Sequence, residues 1–95
     1  MLTSKQKKYL KKEAHDLKPI LQIGKDGLSN NSFITLNQAL KAHELVKVSL
    51  LQNTSVTAEE AMLDILSRCH CEFVFKIGRT LIFYKPSKAR IYDLP

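Results

Sequence analysis

Gly24, Lys25, Asp26 and Gly27 stand between the apolar run Pro19-Ile20-Leu21-Gln22-Ile23 and the stretch Leu28-Ser29-Asn30-Asn31. Two glycines three apart permit positive φ and close approach of a ligand to the backbone. A helix opening just after them adds unpaired N–H groups and about half a positive charge. With Lys25 at its lip, this turn has the size and polarity of a phosphate site. A G-x-x-G on its own serves equally well to reverse a chain, so the remaining residues must decide between the two readings.

The other chemistry-bearing residues point away from catalysis. Cys69-His70-Cys71 straddles an expected helix end and strand start, without the C-x₂-C spacing and four convergent ligands that zinc requires. Both thiols read as buried and structural, and no metal or cofactor is expected. His15 and His43 fall near helix ends, where imidazoles complement the dipole, and no carboxylate pair or nucleophile gives either an acid–base task. Neither G-x-x-x-x-G-K-[ST] nor G-x-G-x-x-G occurs, which removes the nucleotide-binding loops. Among the aromatics, Phe73, Phe75 and Phe83 read mainly as core. Tyr84, pointing to the face opposite Phe83, is the ring expected to be available to a nucleic-acid base.

These residues need elements to hold them. Thr3 and Gln6 form a capping box ahead of Leu10, Ala14 and Leu17, a narrow apolar stripe whose helix ends before Lys18-Pro19. Lys5, Lys8 and Lys12 align on the opposite side. Residues 20–23 read as a strand, and Ser29 as the N-cap of a second helix that turns Phe33, Leu36 and Leu40 inward and frays near His43-Glu44. Residues 45–51 alternate as a strand with Val46, Val48 and Leu50 on the core face. Thr57 and Glu60 box the third helix, and residues 71–77 and 80–84 form a hairpin around Gly78-Arg79. The order α-β-α-β-α-β-β predicts an α/β (α+β) two-layer sandwich with a four-stranded mixed sheet. Its helices lie mainly on one face, and the other face, with Lys47, Ser49 and Lys76, has little apolar cover.

The 95 residues are expected to make a single domain, with a tail from about residue 86, and 44% of them are hydrophobic. The formal charge of +6 is concentrated at the two ends. Residues 1–27 carry seven lysines against three acids, and residues 76–95 carry five basic groups against Asp93. A surface built from both ends attracts a polyanion, with nucleic acid the leading partner. The lysine-rich first helix lacks the broad apolar face of a membrane-surface helix, and no apolar run resembles a signal or a span, so a soluble cytoplasmic protein is expected. A monomer is the expected state, although no sequence feature fixes it.

Four segments, taken in order, resemble the CRM domain (chloroplast RNA splicing and ribosome maturation) in its bacterial single-domain YhbY form. After the basic opening Lys5-Gln6-Lys7 they are Ala14-His15-Asp16-Leu17-Lys18-Pro19, Ile23-Gly24-Lys25-Asp26-Gly27-Leu28, Ala42-His43-Glu44-Leu45-Val46-Lys47-Val48, and residues 77–88 from Ile77-Gly78-Arg79 to Pro86-Ser87-Lys88. The resemblance implies a fold similar to the C-terminal domain of bacterial translation initiation factor three. It also implies non-catalytic binding of structured ribosomal RNA in large-subunit precursors. The residues expected to meet RNA are Gly24, Lys25, Asp26, Gly27, Lys5, Lys8, Lys12, Lys18, Lys85, Lys88 and Arg90. Asp26 departs from an all-attractive loop and is expected to cap helix two or orient Lys25, and Lys85 stands where the family often has Arg. The competing reading is an adaptor whose basic face meets an acidic protein.

Overall fold

The computed structural model describes residues 2–95, and its elements follow the expected order. They are α1 (Ser4–Ala14), β1 (Leu21–Ile23), α2 (Asn30–His43), β2 (Leu45–Leu50), α3 (Ala58–Cys69), β3 (Glu72–Ile77) and β4 (Thr80–Tyr84). Each helix begins at a reciprocal cap. Thr3 pairs with Gln6, Ser29 with Ser32, and Thr57 with Glu60, each hydroxyl accepting the N3 amide while the N3 side chain accepts the cap amide. α2 is therefore capped by Ser29, and Asp26 does not serve as its cap.

The strands form one mixed sheet in the order β1-β2-β4-β3. β1 and β2 are parallel, and the hairpin turns β4 back between β2 and β3, antiparallel to both. Val46, Val48 and Leu50 join Ile23, Leu81 and Phe83 on one face, covered by Phe33, Leu36 and Leu40 of α2 and Ala61, Ile65 and Cys69 of α3. On this face the helix-on-sheet packing is the one the periodicities predict, with two of the three helices on it.

The second face has more apolar cover than expected. Leu10 and Ala14 of α1 bury Leu45, Val74, Ile82 and Tyr84, and Leu17, Tyr92 and Leu94 complete the cluster. A register shift between Phe73 and Phe75 explains part of the difference. Phe73 faces Phe83, but Phe75 faces Ile82 and Lys76 faces Leu81, so the bulge moves Lys76 off the α1 face and places Phe75 on it. Lys47, which does lie on that face, donates from Nζ to the His15 and Leu17 carbonyls at 3.2 and 3.0 Å and ties down the end of α1.

Candidate nucleic-acid interface

The Gly24–Gly27 segment is a closed turn at the C-terminal end of β1. The Gly27 amide donates to the Gly24 carbonyl at 3.1 Å, and the Ser55 amide reaches the same oxygen at 3.3 Å. Gly27 has φ +69°, a conformation that Cβ-bearing residues adopt only under strain, whereas Gly24 does not use positive φ. A Cβ at Gly24 would lie 3.3 Å from Leu51 Cδ1, the end of an exposed side chain, and in ordinary contact with Asn53 Oδ1 at 3.6 Å. The Gly27 amide is thus engaged within the turn and the Ser32 amide at the helix cap. Outward, the turn presents the exposed side chains of Lys25 and Asp26. Two cations that sequence reasoning passed over share this end of the sheet. Lys76 and Arg79 line a small cleft of about 230 Å³ against the residues leading into α3. The hairpin pattern placed Arg79 at a turn, and that position at the end of β2 was the available signal.

The carboxy-terminal cations lie at the other end of the sheet, because β4 pairs its last residue, Tyr84, with the first of β2, Leu45. Lys41, Lys85, Lys88 and Arg90 line a shallow groove of about 880 Å³ between the end of α2 and the tail. Lys18 lines an adjoining cavity of about 240 Å³ with His43, Ile91 and Tyr92. Lys85 also has a structural duty, donating from Nζ to the Cys69 carbonyl at 3.0 Å and so closing the C-terminus of α3.

The tail is fixed by Glu44, to which the helix pattern alone assigns no more than the frayed end of α2. Glu44 has no solvent exposure and adopts φ 64° between α2 and β2. Its Oε2 accepts from the Ser87 amide and hydroxyl, both at 2.5 Å, and its Oε1 accepts from the Tyr92 amide at 3.1 Å. Burial pushes this carboxyl up, but the bonds from the Ser87 hydroxyl and the Tyr92, Ser87 and Ile91 amides outweigh it and hold the group below its ordinary range. Between these anchors Ser87 closes a turn, its carbonyl accepting from the Arg90 amide at 3.3 Å. Lys88 and Arg90 project from that turn into solvent.

Lys5, Lys8 and Lys12 are exposed along α1, as their spacing predicts. α1 covers the second face of the sheet, however, so these lysines lie on the opposite layer from α2. The expected site residues therefore form three patches, at the turn, at the tail groove and along α1. Tyr84 is not available to a base: it is 4% exposed in the cluster under α1, where side-chain alternation had correctly given its face but not the helix covering it. Phe75 is the more exposed ring, with the Lys11 ammonium 3.9 Å from its centroid. Cys69 is buried in the core, and burial beside it pushes the Cys71 thiol up to about 12, which keeps that sulfur protonated and unreactive. Among the described residues no three His, Cys, Asp or Glu side chains are grouped to hold a metal, and no helix is long and apolar enough to cross a membrane.

The CRS1/YhbY (CRM) domain model matches residues 2–85, nearly the whole chain. The chain belongs to the CRM domain family. The CRM chain is 41% identical over 88 residues to the probable RNA-binding protein YqeI of Bacillus subtilis, covering 93% of this chain and 92% of that one. It is 33% identical over 94 residues to an RNA-binding protein of Haemophilus influenzae, covering 99% and 95%. The solution structure of SAV1595 from Staphylococcus aureus superposes over all of both chains with TM-score 0.82 at 38% identity. Within this CRM chain, two of the sequence segments that carry the resemblance meet in space. Glu44 from one holds Ser87 from the other, and its carbonyl accepts the Lys85 amide at 2.9 Å.

Proposed function

We propose that the chain is a non-catalytic RNA-binding protein, a single domain over residues 1–95, that acts in the cytoplasm as a monomer on structured ribosomal RNA during assembly of the large ribosomal subunit. The observation that carries this reading is the groove in which Lys41, Lys85, Lys88 and Arg90 converge on a tail held by Glu44. Cations fixed on a backbone suit an anion that repeats along a chain, since phosphate contacts position a protein on RNA without requiring a sequence. The CRM relatives, which include RNA-binding proteins, support the same partner.

Phosphates are held at the tail by Lys85, Lys88, Arg90 and Lys18, and at the turn by Lys25 with the Gly24–Gly27 backbone supporting it. Asp26 tempers the charge of that turn. Lys5, Lys8 and Lys12 meet a separate stretch of RNA, because α1 faces away from α2. A gel shift with a structured ribosomal RNA fragment tests the reading. Binding that weakens steeply with salt is expected. Absence of a shift at low salt, together with stable capture of an acidic protein after nuclease treatment, would replace it with the adaptor reading.

A further inference from the structure

The two helices that cover the same sheet face carry different surfaces. α3 exposes Glu59, Glu60 and Asp64 along its first two turns, with Arg68 in its last turn lying over the Phe33 ring of α2 at 4.7 Å, so its exposed charge is net negative. α2 contains no Asp or Glu in its 14 residues, and on the side away from Phe33, Leu36 and Leu40 it exposes Asn31, Thr35 and Gln38. These three recur at i, i+4 and i+7, a single helical stripe. Their carboxamides and hydroxyl make no side-chain hydrogen bond within the described residues. The stripe spans about 10 Å of a helix about 21 Å long at 1.5 Å per residue, and that helix runs from the end near the Lys25 turn to Lys41 and the tail groove. α2 is thus a neutral hydrogen-bonding rod with cations at both ends, beside a helix that repels anions.

Such a surface complements a groove whose rims are anionic and whose floor offers neutral donors and acceptors. The minor groove of an RNA duplex has this character, being wide and shallow and displaying 2′-hydroxyls and base edges between the phosphate strands. The minor groove of B-form DNA, about 6 Å wide, does not admit a helix about 10–12 Å across. A 2′-hydroxyl both donates and accepts, which a carboxamide matches with its N–H₂ and C=O. Resting on the RNA-binding reading above, we infer that α2 lies along the minor groove of an RNA duplex. Asn31, Thr35 and Gln38 contact 2′-hydroxyls, while Lys25 at one end and Lys41 with the tail groove at the other hold the flanking phosphates. The exposed Ile34 lies beside the stripe and packs on the sugars. The contact distinguishes RNA from DNA through the sugar and not through sequence.

The test is the triple variant Asn31→Ala, Thr35→Ala, Gln38→Ala, whose alanines favour helix and leave the cap and buried face intact. Its affinity and the parent's are measured for an RNA hairpin of about 16 base pairs and for the DNA hairpin of the same sequence. Circular dichroism serves as the folding control. The parent should prefer the RNA hairpin. The variant should lose about 10- to 30-fold on RNA, change less than about twofold on DNA, and keep the parent's salt slope, because hydrogen bonds and not phosphate contacts have been removed. RNA affinity within about twofold of the parent, or equal losses on RNA and DNA, would overturn the inference. If that happens while Lys88→Glu/Arg90→Glu still abolishes RNA binding, only the placement of α2 fails. If the parent itself binds no RNA hairpin at low salt, the functional reading fails and takes this inference with it.

Discussion

A carboxylate without access to water is costly unless its oxygens are occupied, and Glu44 meets that condition with donors from Ser87, Ile91 and Tyr92. The same bonds carry Lys88 and Arg90 to the rim of the groove. Glu44→Gln keeps the shape but loses the charge-assisted bonds, and should cost about 2 kcal/mol in urea unfolding. It should also weaken RNA binding, because the tail then samples other positions. Its pH behaviour follows from the depressed carboxyl. Stability from a group lowered on folding is complete above its ordinary value of 4.5 and is lost as pH falls through the folded value. The parent's urea midpoint should therefore drop on acidification below 4.5 more steeply than that of the Gln variant, and parallel curves would show that Glu44 is not the group responsible.

Among the elements, the turn before α2 separates backbone need from charge. Gly27→Val forces a β-branched residue to φ +69° with Ser55 Oγ only 3.2 Å from its Cβ, and should destabilise the fold by about 1–3 kcal/mol. Gly24→Val meets the end of the exposed Leu51 side chain, which can move, and should cost less in the same unfolding measurement. On correctly folded protein, both valine variants should reduce RNA affinity more than Lys25→Ala does. Local pattern was sufficient for these elements, because capping boxes and apolar spacing act within one turn of helix and the Thr3, Ser29 and Thr57 caps are all present. It was insufficient wherever distant segments meet. The bulge at Phe73/Phe75, the burial of Tyr84 under α1, and the pairing of Glu44 with Ser87, 43 residues away, depend on contacts between distant segments that no local periodicity encodes. Lys41 went unnoticed for the same reason, as an ordinary solvent lysine until the tail folds beside it.

For the whole molecule, the basic residues divide into three patches instead of one face. The turn and the tail groove lie at opposite ends of the sheet, about 17 Å apart along the six residues of β2 at 3.3–3.4 Å per residue. The α1 lysines face the other way. Lys5→Glu/Lys8→Glu/Lys12→Glu should consequently weaken binding to a long, branched ribosomal RNA fragment while leaving a short hairpin, which engages only the α2 side, nearly unaffected. Equal loss on both RNAs would mean that α1 and α2 grip the same duplex. The most direct measurement of the central claim is the affinity of the parent and of Lys88→Glu/Arg90→Glu for a structured ribosomal RNA hairpin across a salt series. With about five phosphates neutralised, the parent should lose roughly 10²- to 10³-fold between about 50 and 200 mM salt. The variant should bind more weakly at low salt, with a log–log slope shallower by about 2. A flat salt response in the parent, or superimposable curves for the two proteins, would contradict the account.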